Sequence, residues 1–215
     1  EFLRWDNDIF SRMEIVVAPE DDAEIRRIDL RNNSDRTRKL FVCSYAEVVL
    51  APHAADISHP SFNRLFIESE YLPEENVLLF RRRPRTAEEK EIFVVHMVTG
   101  SDGNRSYEID RERFLGRGGS PRNPQFLRDR KAAFSTGKTG TTLDPLMVAS
   151  IEIELLPLEK ITLFFVTAAA NDRAAAYYLV KRYKSRSVIE EAFSRAGSFC
   201  RREMARLNLT SMELE

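Results

Sequence analysis

Lys39–Leu72, KLFVCSYAEVVLAPHAADISHPSFNRLFIESEYL, is the stretch on which the reading of the fold turns. Leu40, Val42, Ser44 and Ala46 alternate against Phe41, Cys43, Tyr45 and Glu47, the period of two that puts successive side chains on opposite faces of a strand. Upstream, Ile25, Ile28 and Leu30 lie among charged residues in a half-exposed strand, closed by the turn chemistry of Asn32-Asn33-Ser34-Asp35. Segments 24–31 and 39–50 are therefore expected to pair as an antiparallel hairpin at the centre of a sheet. After position 50 comes an irregular loop holding His53, Asp56 and His59 between prolines, and Arg64–Leu72 reads as the next strand.

Further strands are expected at Ile9–Ala18, Val77–Arg83, Met147–Leu156 and Ile161–Ala170. The N-terminal text from Glu1 to Trp5 is already strand-like. Ile92–Val98 is a continuous apolar run, which marks a strand buried on both faces, with His96 as a satisfied core histidine. From Gly100 to Asp144 the apolar periodicity disappears and a long loop is expected. Positions 111–138 of it carry eight Arg/Lys against two acids. Asp172 is placed to cap a helix over Arg173–Lys184, and Ser187 with Glu190 has the spacing of a capping box for a second helix. Along that second helix Val188, Ile189, Ala192, Phe193, Ala196, Phe199, Cys200, Met204 and Leu207 form an apolar stripe that needs a partner. Seven to nine antiparallel strands followed by two helices define a mainly β class, a β-sandwich with a helical tail.

Composition narrows the function. A chain of 215 residues with 43% hydrophobic content can bury a substantial core. Net charge −1 and a pI near 6.4 argue against nucleic acid or an anionic membrane surface as a partner. Cys43 and Cys200 make neither a disulfide framework nor a zinc site, which favours a reducing, cytoplasmic compartment. No apolar run approaches the roughly 20 residues of a membrane span, and no signal peptide precedes the first strand. The opening Glu1-Phe2-Leu3-Arg4-Trp5 reads as a piece of something longer.

The candidate chemistry is sparse. Gly137-Lys138-Thr139 echoes the close of a phosphate-binding loop, but Ala132 stands where that motif needs glycine and no helix pattern follows. Arg81-Arg82-Arg83-Pro84-Arg85 is followed at once by Glu88, Glu89 and Glu91, as at a solvated strand end. Arg117-Gly118-Gly119-Ser120 is a basic turn whose backbone amides suit an anion. His53, Asp56 and His59 lack the fixed spacing that converges ligands on one ion, so no metal site is assigned. Nothing calls for a cofactor, and no nucleophile motif stands out.

The wording of long blocks adds a resemblance. DNDIFSRMEIVVAPEDDAEIRRIDLRNNSDRTRKLFVCSYAEVVLAPHAADISHPSFNRLFIESEYLPE (6–74), SYEIDRERFLGRGGSPRNP (106–124), TGTTLDPLMVAS (139–150), LFFVTAAANDRAAAYYLVKRY (163–183) and ARLNLTSMELE (205–215) resemble the phosphorylase-like portion of cyclic β-1,2-glucan synthases. That portion is related to cellobiose and chitobiose phosphorylases, glycoside hydrolase family ninety-four, formerly glycosyltransferase family thirty-six. The resemblance implies an antiparallel β-super-sandwich over 1–170, lacking its first strands, and a C-terminal α-helical linker segment over 171–215 leading towards an (α/α)6 barrel. In such enzymes phosphate attacks the anomeric carbon and one Asp acid protonates the departing sugar oxygen, both steps in the barrel. The implied role is thus a non-catalytic sandwich module of a carbohydrate-metabolising glucan synthase or glycoside phosphorylase. It would meet β-glucan or oligosaccharide only through the parent enzyme, with the same-chain barrel as partner and no direct membrane contact. No catalytic residue is assigned. Arg113, Phe114 and Arg117 are the expected sugar-facing residues, because arginine forks and aromatic faces suit hydroxyls and phosphate. An autonomous carbohydrate-binding domain is the alternative, with Trp5, Tyr71 and Tyr107 as its aromatic material. A stand-alone enzyme would release sugar phosphate, which is not expected. Without a barrel, the stripe on 188–207 is expected either to dock on its own sheet or to form a homodimer.

Overall fold

The computed structural model describes residues 1–129 and 138–208. Among them, eleven strands form two antiparallel sheets, more than the seven to nine expected. The larger sheet contains β1 (Phe2–Asp6), β2 (Ile9–Val17), β3 (Ala23–Asn32), β6 (Ile67–Leu72), β7 (Val77–Arg82), β8 (Ile92–Thr99) and β11 (Lys160–Ala170). Its strand order is β1-β2-β3-β11-β8-β7-β6. The smaller sheet is built on β10 (Pro145–Leu155), flanked by β4 (Arg38–Cys43) with β5 (Ala46–Glu47), and by β9 (Asn104–Asp110).

Alternation along the strands sorts the apolar residues into layers. On β8, Phe93, Val95 and Met97 face one way and Val94 and Val98 the other. On β11, Phe164, Val166 and Ala168 oppose Leu163 and Phe165 in the same manner. One set joins β10 and β4 residues Ile151, Ile153, Leu155, Leu40 and Val42 between the two sheets. The other set packs under two C-terminal helices, α5 (Arg173–Tyr183) and α6 (Arg186–Leu207), through Ala176, Leu179, Val180, Tyr183, Ile189 and Ala192. The outer face of the smaller sheet, with Phe41, Leu146 and Val148, is covered by Phe114, Leu115 and Phe126. Four layers result, and the doubly buried Ile92–Val98 strand agrees with its continuous apolar text.

The expected hairpin of 24–31 with 39–50 does not form. β3 pairs with β2 and β11, while β4 pairs with β10 in the other sheet. The reason lies at Asn32, which is fully buried. Its side-chain amide nitrogen lies 2.8 Å from the Arg36 carbonyl, 3.1 Å from that of Leu155 and 3.0 Å from that of Leu156. Its Oδ1 accepts from the Ser34 amide (3.0 Å) and hydroxyl (2.6 Å). These bonds pin the turn to the end of β10 and carry the chain from one sheet to the other. The 39–50 strand is also interrupted at Ser44–Tyr45, although β4 and β5 keep one register against β10.

Other boundaries differ as well. The histidine loop is two short helices, α1 (His53–Ser58) and α2 (Pro60–Arg64), so the strand expected from Arg64 begins at Ile67. Within 100–144, expected to be loop, lie β9, α3 (Arg111–Leu115) and α4 (Gln125–Arg128). Asp172 caps α5 as expected, accepting from the Ala175 amide at 2.7 Å. The Ser187–Glu190 capping box is absent: α6 starts at Arg186, Ser185 precedes it without a side-chain cap, and Glu190 turns to Arg27 at 2.9 Å. The basic run 81–85 is paired inward, Arg81 to Glu91, Arg83 to Glu68 and Arg85 to Glu89, with Arg82 buried against the Asn63 carbonyl at 3.0 Å.

Because Asn32 serves buried carbonyls of two segments, Asn32→Ala should lower stability by about 1–3 kcal/mol. A urea midpoint unchanged from the parent chain would remove the corner role given to this residue.

Candidate functional site

The sequence places its expected sugar contacts on the segment after β9, and the geometry there builds from the strand end upward. Asp110 ends β9 and caps α3, its Oδ1 accepting from the amides of Glu112 (2.9 Å) and Arg113 (3.2 Å). Phe114 and Leu115 then turn inward onto the smaller sheet, with Phe114 stacked obliquely on Tyr45 (5.2 Å) and Phe126 (5.4 Å). Gly116 ends the helix at φ +73°. A β-carbon there would lie 2.1 Å from the Gln125 side-chain oxygen, so only glycine lets α3 and α4 approach. Arg117 follows in the open.

The three expected residues therefore separate. Arg117 is exposed; Arg113 is half-buried and bonds Glu108 through Nη2 at 3.0 Å; Phe114, 2% exposed, has its ring packed in the core rather than turned to solvent. Glu108 is a further member that the sequence does not single out. It is 1% exposed and accepts from the amides of Ile109 (2.8 Å) and Asp110 (3.0 Å) as well as from Arg113. Burial raises its carboxyl pKa, opposed by those amides and by Arg113. An acid in an alternating strand looks solvent-facing in sequence, and nothing short of knowing where α3 folds back reveals otherwise.

Beside this loop, Glu47 accepts from the Tyr45 hydroxyl (2.9 Å) and from Arg111 Nε (2.9 Å). Arg64 and Arg111 both reach Asp144, the latter at 3.7 Å. Burial works against the Glu47 carboxylate, but Tyr45 and Arg111 outweigh it and hold the pKa below the usual carboxylate value. The cluster is closed on itself and ties α2, β5, the start of α3 and the approach to β10 together, while Arg117 stays exposed outside it.

The remaining candidates sit apart. His53 and His59 are exposed at the ends of α1, and among the described residues no group of three or more His, Cys, Asp or Glu is arranged to hold a metal. Gly137 of the phosphate-loop echo lies outside the described residues. Tyr71 and Tyr107 stack on each other with centroids 4.1 Å apart, whereas Trp5 is 67% exposed. His96 lies between the sheets, Nε2 2.7 Å from Ser44 Oγ and Nδ1 2.9 Å from Thr167 Oγ1, beside a cavity of about 170 Å³. Burial, with a smaller contribution from Arg26, lowers its pKa to about 4. Among the described residues no helix is long and apolar enough to cross a membrane.

Two packed antiparallel sheets with flanking helices and a basic βα loop define a supersandwich domain. The chain belongs to the glycosyl hydrolase 94 supersandwich domain family, whose model it matches over residues 1–186. It is 34% identical over 221 aligned positions to the cyclic β-(1,2)-glucan synthase NdvB of Rhizobium meliloti (strain 1021), covering 99% of this chain and 8% of that protein. Among solved structures, a human-microbiome protein described as a kojibiose phosphorylase superposes with TM-score 0.50 at 8% identity, over 91% of this chain and 22% of the other. A polysaccharide lyase superposes with TM-score 0.48 at 12% identity, over 83% and 22%. The chain thus spans a small part of each of these proteins. The resemblance to the glucan synthases of glycoside hydrolase family ninety-four and the antiparallel supersandwich agree with the family match and with the 34% identity.

The buried imidazole gives a pH dependence. The folded pKa of His96 lies below its unfolded value, so the unfolded chain binds more protons in the interval between them. Stability is then full above about pH 6.5 and falls as pH drops towards about 4, by on the order of 3 kcal/mol. His96→Gln, which keeps bonding capacity without the titration, should flatten the urea midpoint over that interval; an equal slope in both proteins would show that His96 is not its source.

Proposed function

We propose that this chain is a non-catalytic sandwich module of a β-glucan-processing enzyme of the glucan synthase and glycoside phosphorylase type. It supports a helical barrel and lines the edge of its sugar cleft through Arg117, with Arg113 and Phe114 anchoring the loop beneath. The observation that carries the reading is the match of residues 1–186 to the family's supersandwich domain, together with the 34% identity to a cyclic β-(1,2)-glucan synthase. Arg117 is solvent-facing on a turn whose base is fixed by the Asp110 cap and the Gly116 contact, which suits positioning of a hydroxyl or phosphate.

We assign 1–170 to the sandwich and 171–215 to the linker. α5 packs into the core under the larger sheet, and the family match runs past its end at Tyr183. α6 begins on that core at Ile189 and Ala192 and then leaves it, with Phe199 and Leu207 more than half exposed, as a segment reaching for a partner domain would. The barrel of the same chain fits that role better than a homodimer, since the docked first half of α6 already directs the second half away from the sheets. A cytoplasmic setting agrees with two free cysteines, the Cys43 thiol being pushed up to about 11 by burial.

Incubated with β-1,2-glucan and inorganic phosphate, the chain should release no sugar phosphate; release above a boiled control would end the non-catalytic reading. In an enzyme that carries this domain with its barrel, Arg117→Ala should raise KM for glucan about tenfold with kcat little changed, the pattern of lost uniform binding. Unchanged KM would remove the loop from the cleft.

A further inference from the structure

The helices α5 and α6 cover only part of their face of the larger sheet. Register identifies what stays open. Across β1, β2, β3 and β11 one row reads Trp5, Phe10, Arg31 and Lys160, and the next reads Leu3, Arg12, Asp29 and Thr162. The third row contains Glu14, Arg27 and Phe164, and there α6 begins: Arg27 bonds Glu190 and lies over the Phe193 ring at 4.2 Å. The first two rows lie beyond the helix. They form a shelf about 14 Å across, from three strand spacings.

Its chemistry is distinctive. Trp5, 67% exposed, leans on Phe10 with centroids 4.9 Å apart, so the indole is propped from one side and open on the other. Beside the pair is a groove of about 250 Å³ lined by Phe10, Arg12, Asp29, Leu30, Arg31 and Lys160. Asp29 is 8% exposed and oriented by the Thr162 hydroxyl, which donates to it at 2.5 Å, with Lys160 3.6 Å away. Arg12 is engaged by Glu1 (2.6 Å) and Glu14 (3.0 Å). Among the described residues the Arg31 guanidinium makes no ion pair.

We propose that this shelf is a saccharide-binding platform, in which a pyranose ring stacks on the Trp5 indole and its hydroxyls bond Arg31, Lys160 and Asp29. Three features select the ligand class. An aromatic face propped against its neighbour offers stacking area at little cost in side-chain order. The flanking groups alternate donor and acceptor, which matches adjacent hydroxyls that both give and accept bonds. The charges largely cancel within the shelf, Arg12 against Glu1 and Glu14 and Lys160 against Asp29, so the complementary partner is neutral and polyhydroxylic rather than a nucleic acid or an anionic lipid surface. Tyr71 and Tyr107 provide no such face, because they stack on each other. The inference rests on the carbohydrate-processing role proposed above for the choice of glucans as probes. It adds a contact site on the opposite side of the larger sheet from the smaller sheet that carries the Arg117 loop.

Trp5 is the single tryptophan of the chain, so its fluorescence reads this face directly. Titration with neutral β-1,2- and β-1,4-linked gluco-oligosaccharides should give a saturable blue shift with Kd in the millimolar range or tighter. Arg31→Ala should weaken binding about tenfold, the loss of one charge-assisted hydrogen bond, while Arg83→Ala, just past β7 at the other end of the larger sheet, leaves it unchanged. By calorimetry in an Arg117→Ala background, which removes the loop contact proposed above, the binding heat should vanish on Trp5→Ala, whose urea midpoint should stay at the parent value because the side chain is exposed. No shift with any of these sugars overturns the platform. Heat that persists in the Trp5→Ala, Arg117→Ala double variant overturns it too, and moves binding elsewhere on the domain. A blue shift that tracks protein concentration without sugar means that a second copy covers the shelf, and this also overturns the platform. None of these outcomes bears on the non-catalytic reading, which stands or falls on sugar phosphate release.

Discussion

The structure depends on a sheet that is buried on both sides. β8 and β11 sit near the middle of the larger sheet, and their alternating side chains feed two separate cores, one between the sheets and one under the helices. Each apolar residue of these strands is committed to a layer by its parity alone, so a slip of one position would exchange the two cores wholesale. The hydrophobic term then favours one register strongly, with each large side chain worth about 1.5–3 kcal/mol when removed from water. Everything else, including the smaller sheet and both helices, is laid against surfaces that this pair of strands defines.

Polar groups inside that arrangement act as bolts between layers. Asn32 joins the turn after β3 to the end of β10. His96 on β8 meets Ser44 of the smaller sheet and Thr167 of β11. Glu75, in the turn between β6 and β7, receives Tyr177 at 2.9 Å and Lys181 of α5, and Lys184 just past its end. Those three donors, Lys181 foremost, hold its carboxyl down to about 2. Buried polar groups are expensive unless bonded, and here each bond crosses between elements that the chain does not connect locally. They specify which layer lies on which.

Such long-range bonds separate what is legible in the sequence from what is not. Strand positions such as Ile92–Val98 and Ile161–Ala170 are legible because period and β-branched content are local properties. The partners of 24–31 and 39–50 are not, since the deciding contacts of Asn32 reach Leu155 and Leu156, more than a hundred residues away. β9 escapes notice for a related reason: NRSYEID carries few apolar residues, and its Glu108 becomes buried only when Arg113 returns over it. The capping box expected at Ser187 follows a sound local rule, yet Glu190 finds a better partner in Arg27 on the sheet. At the expected site Arg117 is exposed and Phe114 buried, a separation of near neighbours that the expectation of a shared sugar-facing role does not draw. Alternation inside a single turn of helix is too short to show which side faces the protein.

The distribution of ionisable groups bears on what such a domain does. General acid–base chemistry needs a titratable group that is both perturbed and reachable. Here the strongly perturbed groups are engaged by structure: His96 between sheets, Glu75 under α5, and Tyr183 raised by burial and its bond to Asp21 at 2.7 Å. Arg31 and Arg117 are exposed, and their planar guanidinium forks suit holding hydroxyls rather than proton transfer. Both stand on rigid supports, a four-strand shelf and a capped helix end, at separate faces of one body. A layered sandwich of this kind is well made for presenting fixed hydrogen-bond donors to a long polymer at more than one point. Two weak contacts held at a fixed distance retain a chain far better than either alone, provided the ligand is long enough to span them. On the proposals made above, glucan length becomes a physical variable in its own right, since a short oligosaccharide would reach only one of the two faces at a time.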